Sequence, residues 1–230
     1  MSRSNNNAPL ANPAKRFIDW DSENGCFKTY DKEKKENVKI PLPVRFYVLD
    51  ELTTVKGFSD KTQGGIWSNE IKDITKQALS VKSKDKAGKL VTIAEGKYSD
   101  IKDTITASGG KYTRSLYVAM LNDKDEYEIV NFQLKGAAFS GWLDFVTEHR
   151  NSLMYDEIVC GDFKKEKKGA TKYTIPVFSS EKASDEGNEA AIQLDVELQG
   201  YLREYFDRTQ NTTDEYVEDT IPAGADELPF

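Results

Sequence analysis

The chain has one histidine and two cysteines in 230 residues, and each shortage closes a class of chemistry. His149 is the only imidazole, and it sits beside Glu148 and Arg150 near a predicted helix end. A helix C-terminus favours a cation, which accounts for His149 without a catalytic role. Cys26 and Cys160 are too few for a disulfide framework and, with one His, too few for a Cys/His zinc site. Both are expected as buried or half-buried thiols. No apolar run approaches the ~18 residues of a membrane span, so no membrane partner is expected. The first fifteen residues have no apolar signal core, which predicts a cytoplasmic protein.

Nucleotide and calcium motifs are also missing. Gly136-Ala-Ala-Phe-Ser-Gly141 has the outer glycines of a phosphate loop but continues Trp142-Leu143 instead of Lys-Ser/Thr. Asp123 to Leu134 begins like a calcium loop but lacks the glycine at its bend and the closing Glu. These absences predict a protein that is not an enzyme and carries no cofactor or metal.

Charge is present but unevenly placed. The net charge is −7; residues 1–180 hold 29 Lys+Arg against 25 Asp+Glu, and residues 181–230 hold 3 against 14. The body is therefore at +4 and the C-terminal part at −11. An acidic segment on a mildly basic body is the pattern of an interaction tail.

Along the chain, residues 1–14 are Ser/Asn/Pro-rich and predict a disordered arm. Asn24-Gly25 predicts a hairpin between strands at 17–20 and 26–30. Val38, Ile40, Leu42, Val44, Phe46 and Val48 alternate with mixed residues, predicting one strand over 38–49, at an edge because of Pro41 and Pro43. Residues 57–67 are expected as a glycine-containing loop and 71–81 as a returning strand. Lys82 to Lys89 is expected as a basic hairpin tip ahead of a strand at 90–94. A short helix is predicted from Ser99-Asp100 to Ala107, stopped by Gly109-Gly110. A second hairpin turns at 122–126. A helix over 136–150 places Phe139, Trp142, Leu143 and Val146 on one stripe. Strands at 157–163 and 172–178 flank a Lys-rich turn at 164–169. A last helix, 189–208, carries Ile192, Leu194, Leu198, Tyr201, Leu202 and Tyr205 on its apolar side. The class is mainly β with added helices (α+β); the strand spacing suggests an antiparallel barrel or sandwich, and among small barrels it fits an OB-like antiparallel barrel or another β-barrel.

Basic side chains alternate with aromatics in several of these segments. Arg45 and Tyr47 share a strand face; Phe58, Lys61 and Trp67 fall in one segment. Lys82 and Lys84 lie in the next, and Lys111, Tyr112, Arg114 and Tyr117 in one strand. Flat rings stack unpaired bases at ~1–3 kcal/mol each, and cations follow the phosphates. These eleven residues are the candidate nucleic-acid surface. The predicted helices are neutral or acidic, which disfavours a duplex-reading recognition helix.

The last residues, Asp226-Glu227-Leu228-Pro229-Phe230, close a stretch from Asn211 with six acids and no Lys or Arg. Such composition predicts disorder. This ending resembles that of single-stranded DNA-binding proteins, whose bacterial members finish in an acidic Ile-Pro-Phe tip. Val44-Arg-Phe-Tyr-Val-Leu-Asp-Glu-Leu52, Gly65-Ile-Trp-Ser-Asn-Glu70, Lys111-Tyr-Thr-Arg-Ser-Leu-Tyr-Val118 and Leu134-Lys-Gly-Ala-Ala-Phe-Ser-Gly-Trp142 are similar to such proteins of tailed bacteriophages, over roughly residues 38–145. The resemblance implies a single OB-like domain at 15–208 and a disordered acidic tail at 209–230. It implies sequence-independent binding of single-stranded DNA in replication and recombination, in the host cytoplasm. Asp226, Glu227, Leu228, Pro229 and Phe230 would compete with DNA and recruit phage or host replication proteins. The chain lacks the Gln/Gly/Pro-rich linker of the bacterial type and has an added region at 155–208, so the tetramer is not carried over. A monomer or small homo-oligomer is expected. The competing expectation is an interaction protein whose tail docks a partner, with no nucleic-acid role.

Overall fold

The computed structural model describes residues 11–211. Within them the fold is mainly β with three helices, the α+β class expected from the sequence. The strands are β1 (Arg16–Asp21), β2 (Cys26–Asp31), β3 (Glu36–Ile40), β4 (Val44–Ser59), β5 (Gly64–Ser68) and β6 (Leu79–Lys84). They continue with β7 (Leu90–Gly96), β8 (Gly110–Leu121), β9 (Tyr127–Lys135), β10 (Asp156–Lys168) and β11 (Thr171–Lys182). Helix α1 (Tyr98–Ala107) precedes β8, α2 (Ala137–His149) follows β9, and α3 (Asp185–Asn211) follows β11.

The main path of the sheet runs β3-β2-β1-β9-β8-β4-β5-β6-β7, with β10 joined to β4 and β11 to β10. The β1–β9 pair is parallel and the other named pairs are antiparallel. No hydrogen bonding joins β3 to β7 among the described residues, so this path does not close on itself. None of the described helices is long and apolar enough to cross a membrane.

Local chemistry explains where the elements start and stop. The first hairpin forms as expected: Gly25 takes φ +67°, and Asp21 Oδ1 accepts from the Glu23 and Asn24 amides. The expected strand over 38–49 is broken instead. Two prolines two residues apart cannot donate to a ladder, so Pro41–Pro43 separates β3 from β4, with a cis bond at Leu42–Pro43. Beyond the break β4 is far longer than expected. It absorbs Gly57 and Phe58, and the loop expected at 57–67 shrinks to the turn between β4 and β5. Gly57 makes this possible, because a Cβ there would lie 2.3 Å from the Gly109 carbonyl. Gly109, at φ +91°, ends α1 as expected. The strand expected at 71–81 shortens: Ile71 makes one bridge to Thr53, and regular pairing resumes at Leu79.

Three apolar clusters hold the sheet. The largest packs Ile18, Phe27, Phe46, Leu116, Val118 and Phe132 beneath Trp142 and Phe145 of α2. Trp142 is 2% exposed, as expected of a core residue, and donates Nε1–H to Glu51 Oε1 at 2.6 Å. The helical stripe is rotated from its predicted position, since Ala138, Gly141, Trp142 and Phe145 are buried while Leu143 is exposed. On the opposite side, α3 lays Leu198, Tyr201 and Leu202 over Tyr47, Leu52, Tyr117 and Ile129. Ile192, expected on the apolar side, is exposed. The third cluster joins Val55, Ile66, Leu79 and Val81 to Ile105 of α1.

Candidate nucleic-acid interface

Directly paired residues in neighbouring strands point to the same side of a sheet. Lys111 pairs with Lys56, Lys56 with Trp67, and Trp67 with Lys82. Four strands thus contribute one cross-strand row of three lysines and a tryptophan. Phe58 and Lys84 lie two residues from Lys56 and Lys82, so they stand on the same side one row further out. Lys61 is exposed in the adjoining turn. Of the eleven predicted residues, Phe58, Lys61, Trp67, Lys82, Lys84 and Lys111 are brought together here.

Exposure along the row is uneven. Lys111 is exposed; Lys56, Phe58, Lys82 and Lys84 are half-buried; Trp67 is 4% exposed. Lys and Trp side chains are compatible in this order because lysine stems cover apolar surface while the ammonium stays wet. Burial lowers the Lys56 pKa, and the carboxylate of Glu70 opposes that effect. Lys135, which pairs with Thr113 on the same side, is held by Asp19 at 2.7 Å.

The row borders a polar network instead of a hydrophobic wall. Glu70 accepts from Ser115 Oγ and, at 2.9 Å, from Tyr117 OH. Asn131 Nδ2 donates to Ser115 Oγ at 2.7 Å, and the Glu70 amide donates to Tyr205 OH on α3 at 2.8 Å. Burial pushes the Glu70 carboxyl above its ordinary value, against the hydrogen bonds from Ser115 and Tyr117. Burial likewise raises the Tyr117 phenol well above its usual range, reinforced by Glu70.

The other predicted residues lie elsewhere. Tyr117 is fully buried in the network. Tyr47 is 5% exposed under the start of α3, with its hydroxyl 3.4 Å from Ser184 Oγ. Neither ring is at the surface as folded. Arg45 is exposed, but its guanidinium donates to Glu157 at 2.8 Å and to Glu181 at 2.9 Å. That pairing holds the Glu181 carboxyl below its ordinary value.

Tyr112 and Arg114 share a face, as expected, but it is the face opposite the row, since Lys111 and Tyr112 are neighbours in one strand. There Tyr112 meets Phe139 at 5.0 Å and Tyr98 at 5.4 Å between ring centroids. Its hydroxyl lies 3.2 Å from Thr53 Oγ1. Arg114 lies 6.0 Å from the Tyr112 ring and 5.9 Å from that of Phe139, with Nε buried and without a hydrogen-bond partner. These rings already have aromatic neighbours from α1 and α2.

Lys56 is the member of the row that was not expected from the sequence. Alternation along β4 alone would set Lys56 on the side of Phe46 and Val48; the bulge between Val48 and Asp50 turns it to the opposite face. The tail residues Asp226, Glu227, Leu228, Pro229 and Phe230 lie outside the described residues. Comparison with protein-family models, with curated proteins and with solved structures finds no match to this chain.

Proposed function

We propose that the protein binds single-stranded DNA without reading its sequence and protects it during replication or recombination. The scaffold is read as an elaborated, unclosed OB-like sheet. The acidic C-terminal segment competes with DNA for the basic row and presents Leu228-Pro229-Phe230 to replication proteins. The observation that carries this reading is the row Lys111–Lys56–Trp67–Lys82, with Phe58 and Lys84 beside it on the same face.

The physical case rests on the ligand's needs. A single strand offers a continuous line of phosphates and unstacked bases, so a site needs cations in line and rings between them. Point-charge lysines neutralise phosphates without selecting a base. The row supplies cations from three strands, with Phe58 as the half-buried ring nearest its edge. Trp67 lies within the row and reports on it.

The test is a salt series with oligo-dT, read by Trp fluorescence and anisotropy. The parent should lose affinity steeply with salt. The K82E/K84E/K111E variant should bind at least tenfold more weakly at low salt, with a slope smaller by about 0.7 per lysine removed. Deleting residues 212–230 should tighten binding several-fold at low salt, and the gain should fade as salt screens it. A parent with no salt-dependent binding favours the protein-docking reading, in which the tail acts without nucleic acid.

A further inference from the structure

The Lys-rich turn expected at 164–169 shrinks to Gly169 and Ala170. β10 and β11 stay paired out to Lys168↔Thr171, so Lys164, Lys165, Lys167 and Lys168 are strand residues. Only Ile158–Cys160 of this ribbon also pairs with the main sheet, through Val44–Phe46 of β4. From Asp162 outward the ribbon has no third strand among the described residues.

Its base is fixed. The Thr174 amide donates to the Ser22 carbonyl at 2.7 Å, and Trp20 Nε1–H donates to the Thr174 carbonyl at 3.1 Å. The Phe163 ring lies against Gly25, where a Cβ would come within 2.7 Å of it. Beyond these contacts the arm extends about 17 Å from Phe163 to Lys168, at ~3.4 Å per residue.

The tip is strongly basic. Residues 164–173 hold five lysines and one glutamate, and all five ammonium-bearing residues are exposed. None of the five forms an ion pair with a described residue. Lys167 stands directly opposite Lys172, and like charges so placed destabilise a ribbon. The sequence therefore accepts a local cost that a polyanion would reverse. Lys165 lies on the same side, two residues from Lys167, so three cations share one face.

The chemistry of the tip selects among nucleic acids. A single-strand site needs rings, and the tip has only Tyr173, half-buried at its base side. A two-stranded ribbon fits the ~12 Å major groove of a duplex, and lysines bind its phosphates without sequence preference. We propose that the β10–β11 arm is a duplex-DNA contact, distinct from the row on β4, β5, β6 and β8. The protein would then hold single-stranded and double-stranded DNA at once, as at a junction between them. The duplex contact does not depend on the single-strand reading.

The test uses the full chain with a blunt duplex and, separately, oligo-dT. Replacing all five tip lysines by Gln should weaken duplex binding at least tenfold at low salt. The slope of log affinity against log salt should fall by about 0.9 for each phosphate no longer neutralised. Binding of oligo-dT should change less than threefold. K167E alone should raise Tm, by turning a like-charge pair into an ion pair with Lys172, while weakening duplex binding several-fold. Absence of duplex binding by the parent, or parent-like duplex binding by the five-Gln variant, overturns the proposal. Equal losses on both ligands also overturn it, because the lysines then belong to the single-strand site.

Discussion

The two halves of β4 are one strand in two environments. From Val44 to Leu49 the strand is apolar on both sides: Val44, Phe46 and Val48 enter the cluster under α2, and Tyr47 and Leu49 the cluster under α3. From Val55 to Ser59 only one side is apolar, with Val55 packed toward α1. The other side carries Lys56 and Phe58 into the basic row. The one cation of the first half, Arg45, is matched by two carboxylates. The first segment is closed on both faces, and the second leaves Lys56 and Phe58 half-buried on one of them.

Three substitutions test this contrast. The largest effect should come from Phe46→Ala, because Phe46 is 1% exposed and its ring lies 5.1 Å from Phe132 and 6.2 Å from Trp142. Truncating such a ring costs about 3–5 kcal/mol. Phe58→Ala should cost less than half of that in chemical unfolding and should weaken oligo-dT binding. Equal losses of stability would erase the difference between the halves.

A smaller effect is expected from Lys56→Met in the second half of β4. It removes a cation whose charged form burial disfavours while keeping an unbranched stem. Stability should stay within about 1 kcal/mol of the parent, and oligo-dT affinity should fall a few-fold. A large loss of stability with unchanged binding would assign Lys56 to the core.

The smallest effect is a pH dependence. The folded state raises the Glu70 pKa above its ordinary 4.5, so it favours the protonated form. Stability from this group is present below 4.5 and is lost as pH rises through the higher folded value. Glu70→Gln removes that loss, so Tm of parent and variant should converge at acidic pH. The variant should be the more stable by a few degrees near pH 8, at about 2–4 °C per kcal/mol. A constant gap across pH would mean that Glu70 acts only through its hydrogen bonds.

Local signals were legible where a single residue dictates the backbone. Asn24-Gly25, Gly109-Gly110 and the turn at 122–126 each set a boundary that the structure keeps. Trp142 was legible as core because helical spacing aligned it with apolar neighbours. The β4–β5 hairpin was not, because Gly57, Gly64 and Gly65 look like loop residues until a partner strand approaches them. The β10–β11 arm was hidden for a related reason: lysine runs read as turns when cross-strand pairing is unknown.

The mainly β class, the turns at Asn24-Gly25 and 122–126 and the acidic character of the C-terminal segment are legible from the sequence alone. These follow from local propensity and charge, which need no partner. Which cations share a face depends on strand pairing across the sheet. The tertiary structure placed Lys56, Lys82, Lys84 and Lys111 in neighbouring rows, set Tyr112 and Arg114 behind them, and buried Tyr47 and Tyr117 beneath α3. Register is a relation between strands far apart in the chain, and a one-residue difference moves a side chain to the opposite face. That is why residue types could be read in order along the chain, while the surface they form could not.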